Sequence, residues 1–230
     1  MQTQQDAGFV VWLTGMNRAG KSSLAAELTK RLAGAGRGVQ LLDEDGDAAL
    51  LLEGLGATKD DRTRAVQRLG FVAKAVARGG GIAVVAALSP YRDAREQLRR
   101  EAKRFVEVFV DCGMETLQAR DPENIYKRAL AGELRDVPGV DVPYEPPLRP
   151  EVVVKTDQEP VAAAAVHVFQ ALVDAKLVGP AEFGRLTGGQ RPKRKPARGG
   201  GRRKLSAKAA ARKAPKRQAA RSANAARSRR

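Results

Sequence analysis

The eight residues Gly15-Met16-Asn17-Arg18-Ala19-Gly20-Lys21-Ser22 constrain this chain more than any other stretch. They follow an apolar run, Phe9–Thr14, and open a helical pattern, so they fit G-x-x-x-x-G-K-[ST] in the strand-to-helix context that gives this motif its meaning. Glycines allow backbone N–H groups to close around phosphate oxygens, and the helix N-terminus adds the positive end of its dipole. Lys21 is then expected to reach the β- and γ-phosphates, with the Ser22 hydroxyl on Mg²⁺. ATP or GTP binding through Gly15, Met16, Asn17, Arg18, Ala19, Gly20, Lys21, Ser22 and Ser23 follows.

A phosphate loop of this kind belongs in an α/β sheet, and the rest of the chain agrees. Short, nearly continuous apolar runs read as strands at 9–14, 39–43, 82–88, 105–111 and 152–154, as expected of strands buried on both faces. Helical patterns lie between them at about 21–33, 60–77, 91–103, 114–119, 125–133 and 160–175. The expected fold is therefore α/β, a three-layer P-loop NTPase with a parallel five-stranded sheet. Ligands of such sheets bind at the carboxyl ends of the strands. Asp43 and Asp45 follow the second strand there, where carboxylates orient Mg²⁺-bound water or accept a proton from an attacking hydroxyl. Asp45 is the better candidate base; capping of the next helix is the plainer alternative for Asp45 or Asp47. The third strand ends in Ser89-Pro90-Tyr91-Arg92, which brings a hydroxyl and a guanidinium beside the same crevice unless Ser89 serves only as a helix cap.

From about Phe183 the pattern dissolves into Gly, Pro, Ala, Lys and Arg. Residues 191–230 hold 17 Lys or Arg and no acidic residue, leaving 25 basic and 26 acidic residues in 1–190; the net charge of +16 therefore resides in the tail. This divides the chain into a domain over 1–180 and a basic segment over 181–230 expected to be disordered, since it lacks the apolar surface to offset its ordering entropy. Such charge suits non-specific, salt-sensitive binding of nucleic acid or another polyanion, and without interleaved aromatics no base stacking is expected; a solvated tail with no partner is the alternative. No apolar stretch approaches the length of about 20 residues that a membrane-spanning helix needs. The single cysteine, Cys112, and the polar N-terminus point to a cytoplasmic protein.

Several further elements carry a resemblance. Leu42-Asp43-x-Asp45, Leu55-Gly56, Asp61-Arg62, Ser89-Pro90-Tyr91-Arg92, Arg120-Asp121-Pro122, Tyr126-Lys127-Arg128-Ala129 and Pro143-Tyr144-Glu145-x-Pro147, in this order between Gly8 and Val178, resemble the adenylylsulfate kinase family, and the tail resembles those of linker histones. The kinase resemblance implies transfer of the γ-phosphoryl of MgATP to the 3′-hydroxyl of adenosine 5′-phosphosulfate, and admits a homodimer. It puts Asp43 and Asp45 at the acidic positions of the family's Asp-Gly-Asp and Ser89 at a serine once assigned as a phosphorylated intermediate. Arg120 to Glu133 becomes a mobile lid whose Arg120, Lys127 and Arg128 neutralise phosphate charge, with Arg92 nearby.

Departures from the family pattern fall on the acceptor side. Asn and Arg give way to Gly46 and Ala48, a Phe to Ala57, Asn and Arg to Ala65 and Gln67, Lys to Glu123, and Phe-Thr to Val137-Pro138. The two phenylalanines are those that sandwich the acceptor's adenine in the family. A base–aromatic stack is worth about 1–3 kcal/mol and a hydrogen bond to a charged group about 1.5–3 kcal/mol. Such losses are partly offset if Arg64 or Arg68 reaches the acceptor. Two other readings follow: a kinase for a different small hydroxyl acceptor, or a nucleic-acid-associated ATP-binding protein whose kinase domain has decayed.

Overall fold

The computed structural model describes residues 7–189. Of the segment 181–230 expected to be disordered, residues 190–230, with the expectation of polyanion binding, lie outside the described residues, whereas 181–187 are helical and correct that expectation.

Five parallel strands, β1 (Phe9–Thr14), β2 (Val39–Asp43), β3 (Ile82–Ala87), β4 (Phe105–Asp111) and β5 (Val152–Lys155), form one sheet in the order β2-β3-β1-β4-β5. Alternation along β1 divides the interior. Phe9, Val11 and Leu13 face one core with α1 (Lys21–Gly34) and α6 (Val161–Asp174), whereas Val10 and Trp12 face another with α2 (Lys59–Arg78) and α3 (Arg92–Glu101). Two further helices, α4 (Met114–Ala119) and α5 (Ile125–Leu130), lie between β4 and β5 in sequence. No described helix is long and apolar enough to cross a membrane.

Two elements depart from the expected pattern. A 3₁₀ turn at Ala49–Leu52 follows β2, and a seventh helix, α7 (Pro180–Thr187), forms where the apolar pattern fades. Pro180 opens α7 at a position that needs no N–H, Leu186 is buried in the α1 core, and Glu182 pairs with Arg37 at 2.9 Å. Periodicity missed this helix because buried contacts and an ion pair hold it, not an apolar stripe.

Candidate active site

Two glycines shape the phosphate loop. A Cβ on Gly15 would stand 2.4 Å from the Val110 carbonyl oxygen, so no larger residue lets the loop leave β1 alongside β4. Gly20 has φ of +92° and begins α1 with neither a side-chain cap nor an acidic residue in the first turn, leaving the helix's N-terminal N–H groups open to an anion. Lys21 Nζ donates to the Met16 carbonyl at 3.2 Å. Ser22 and Ser23 are exposed and line a cavity of about 330 Å³ with Lys21, Asp45, Arg120 and Thr156.

The segment carrying α4 and α5 is seated on this loop. Tyr126 O–H donates to the Asn17 carbonyl at 2.7 Å, and Thr156 Oγ1 donates to the Ala19 carbonyl at 2.6 Å. Arg120 holds Thr156 in turn, donating to its carbonyl at 2.7 Å and its hydroxyl at 3.3 Å. Burial holds the Tyr126 phenol above its ordinary range, with the Asp121 carboxylate reinforcing the effect, so this phenol stays a donor. Arg18 pairs with Glu123 at 2.8 Å across the loop. Of the three expected lid cations only Arg120 lines the phosphate cavity; Lys127 and Arg128 are exposed on α5.

A second cavity, about 150 Å³, lies beyond the end of β3. Glu44, Gly56, Arg62, Ala65, Leu88 and Ser89 line it, and none of its lining residues is aromatic. Ser89 belongs to a buried network: its Oγ accepts from Trp12 Nε1 at 3.1 Å and donates to Thr14 Oγ1 at 2.9 Å, and Thr14 Oγ1 meets Tyr144 O–H at 2.9 Å. Ser89 is not a helix cap, because α3 starts after Tyr91. Its φ of +36° is held from behind by Arg95, whose guanidinium donates to the carbonyls of Ser89 and Glu145 and to the Glu107 carboxylate.

The carboxylates after β2 divide between the cavities. Asp43 Oδ1 accepts from the Asp45 N–H at 3.2 Å and shapes the turn, while Asp45 is exposed in the phosphate cavity. Glu44, the residue between them, turns into the second cavity. Its Oε1 accepts from the Leu88 N–H and stands 3.8 Å from Lys21 Nζ. Its pKa is raised from an ordinary value near 4.5 to about 7; burial outweighs the lowering by Lys21 and the Leu88 N–H, and Asp45 and Asp43 add to the rise.

Three placements expected from the sequence change here. Arg92 does not face the crevice: it donates to the Pro146 carbonyl and lines a separate cavity with Arg95 and Arg99. Arg68 donates to the Leu51 and Glu53 carbonyls, fixing the 3₁₀ turn, and Arg64 stays at the surface beside Asp61. Neither lines the second cavity; the cation there is Arg62, bonded to the Ala57 and Asp136 carbonyls. Among the departures from the family pattern, Ala65 lines this cavity, Ala48 and Val137 are absorbed into the cores, Pro138 is buried, and Ala57 and Gln67 are exposed. Glu44 and Arg95 were missed by sequence reasoning. A third acidic residue at a strand end was the available signal for Glu44, and none marked Arg95.

A family model of adenylylsulphate kinase matches residues 7–155. The chain belongs to the adenylylsulphate kinase family. It is 41% identical over 165 residues to the adenylyl-sulfate kinase of Rippkaea orientalis, covering 72% of this chain and 91% of that protein. To the probable bifunctional SAT/APS kinase 2 of Sorangium cellulosum it is 43% identical over 172 residues, which is 75% of this chain but 30% of that protein. The structure of the Mycobacterium tuberculosis APS kinase CysC in complex with AMPPNP and APS superposes with a TM-score of 0.67 at 32% identity, over 73% of this chain and 98% of that one. Adenylylsulphate kinases are phosphotransferases, and both cavities lie at the carboxyl ends of strands, one beside the loop after β1 and the other beyond β2 and β3.

Proposed function

We propose that this chain transfers the γ-phosphoryl group of ATP to the 3′-hydroxyl of adenosine 5′-phosphosulfate. The observation that carries the reading is the position of Lys21, which lines the phosphate cavity while its ammonium stands 3.8 Å from Glu44 in the second cavity. A phosphoryl group held by Lys21 thus lies at the boundary of the cavity open to an acceptor. Transfer by positioning and charge stabilisation needs little more from the protein. The uncapped α1 N-terminus and Lys21 bind the triphosphate, and Arg120 adds positive charge to the same cavity.

Mg²⁺ requires only one or two protein oxygens beside those of the phosphates, and the exposed Ser22 hydroxyl is placed to supply one. Bound with ATP there, the ion would supply charge neutralisation to the phosphates. Direct transfer is favoured over a phosphoserine intermediate, because the Ser89 hydroxyl is buried and already hydrogen-bonded to Trp12 and Thr14.

One observation favours a second reading, a different small hydroxyl acceptor. Among the described residues, those lining the second cavity include no aromatic side chain and one cation, Arg62, which is engaged by two carbonyls. A product assay with MgATP and adenosine phosphosulfate decides between them: formation of the 3′-phosphorylated nucleotide at low acceptor concentration is expected. Intact MgATP binding without that product would overturn the first reading in favour of the second. Lys21→Ala is expected to abolish turnover in either case.

A further inference from the structure

Glu44 lies between Asp43 and Asp45, the two carboxylates that the sequence singles out, and brings a third carboxylate to the crevice. It is held in place from two sides. Oε1 accepts from the backbone N–H of Leu88, the residue before Ser89, and faces Lys21 Nζ at 3.8 Å. Oε2 makes no hydrogen bond to another described residue. The side chain is 15% exposed and lines the second cavity. Asp45, by contrast, opens into the phosphate cavity beside Ser22. Of the three consecutive carboxylates, Glu44 alone combines a fixed position, closeness to the lysine of the phosphate loop, and a face toward the acceptor.

We propose that Glu44, rather than Asp45, receives the hydrogen bond and then the proton of the attacking hydroxyl. The inference rests on the phosphoryl-transfer reading above. The acceptor oxygen forms its bond to the γ-phosphorus while the bond from that phosphorus to the β–γ bridging oxygen breaks. ADP leaves, and the hydroxyl proton passes to the Glu44 carboxylate. A carboxylate fixed beside the loop lysine contacts the hydroxyl without reorganisation, which is the geometry general-base catalysis requires. Lys21, Asp43, Asp45 and Arg62 are the charged groups around it.

The test is Glu44→Gln in the full chain. The amide oxygen still accepts from the Leu88 N–H, so the local fold is preserved while proton acceptance is lost. A fall in kcat of about 100-fold or more is expected, the lower range of general-base contributions. MgATP affinity by calorimetry should stay within about threefold, a split that a purely structural role for Glu44 would not produce. The same variant is assayed for slow MgATP hydrolysis, in which water takes the place of the acceptor. If the wild-type chain does not phosphorylate adenosine phosphosulfate, the substrate reading fails while hydrolysis still tests Glu44. Unchanged turnover in Glu44→Gln, or a loss confined to MgATP affinity, would overturn the proposal.

Discussion

Glu44 also couples the site to stability. Its carboxyl is pushed up to about 7, burial being the largest cause, so the folded protein retains a proton that the unfolded chain releases from about 4.5 upward. Its contribution to stability is therefore complete below the unfolded value and is lost as pH rises through about 7. The shift corresponds to about 3 kcal/mol, each tenfold change in proton affinity being worth about 1.4 kcal/mol. Glu44→Gln, which cannot ionise, should accordingly gain stability relative to wild type between about pH 5 and pH 8, read as the difference in urea midpoints. A difference that stays constant over that range would show that the buried carboxylate is not a charge strained by its surroundings. Arg95 makes the opposite case. It is 1% exposed and matched to Glu107 at 2.8 Å; Arg95→Met leaves that carboxylate with Arg99 alone, at 2.9 Å, and takes the guanidinium donor from the Ser89 and Glu145 carbonyls, with an expected loss of about 1–3 kcal/mol in denaturant unfolding. The contrast explains what was legible at this scale. Lys21 and Ser22 belong to a local motif whose spacing states its chemistry. Glu44 and Arg95 take their roles from partners 44 residues away at Leu88 and 50 residues away at Glu145, contacts that no local pattern encodes.

Elements show the same division between local and distant causes. Strands β1, β3 and β4 were legible because burial on both faces demands continuous apolar runs, and α2 because a helical pattern runs through 60–77; the structure adds Thr58, which accepts from the Asp61 N–H at 3.1 Å and fixes its start. The helix α7 was not, since its stability is tertiary. Its Leu186 is 3% exposed in the α1 core, and the Arg31 guanidinium donates to the Leu186 carbonyl at 3.4 Å. Leu186→Ala should accordingly cost about 2–5 kcal/mol, the range for deleting a buried leucine side chain. Because α7 meets α1 at Arg31, in the last turn of that helix and away from its phosphate-binding N-terminus, the loss should appear in thermal or urea unfolding while KM for MgATP is retained at temperatures where the variant remains folded. A raised KM at such temperatures would show that α7 helps to set the register of α1 and its phosphate-binding N-terminus.

The sheet order β2-β3-β1-β4-β5 belongs to the whole molecule and could not be read from the chain, because strand neighbours are chosen by non-local packing once the apolar runs are fixed. Charge, by contrast, was legible at this scale from composition alone. Residues 1–190 are nearly neutral, with 25 basic against 26 acidic residues, whereas 191–230 carry 17 positive charges and no negative ones. The two parts should therefore separate by function as they do by charge. Affinity for a phosphate polymer grows with the number of cations and falls steeply with salt through counterion release, whereas transfer within a buried crevice depends on fixed geometry. Deleting residues 190–230 is expected to abolish retention on DNA or heparin at low salt while leaving kcat and KM for MgATP unchanged. The full chain should elute progressively earlier as salt rises, and scrambling the DNA sequence should make no difference, since the tail has no aromatic residue to stack on bases. Loss of turnover on truncation would instead make the tail part of the enzyme, with its cations acting on the anionic substrates of the site.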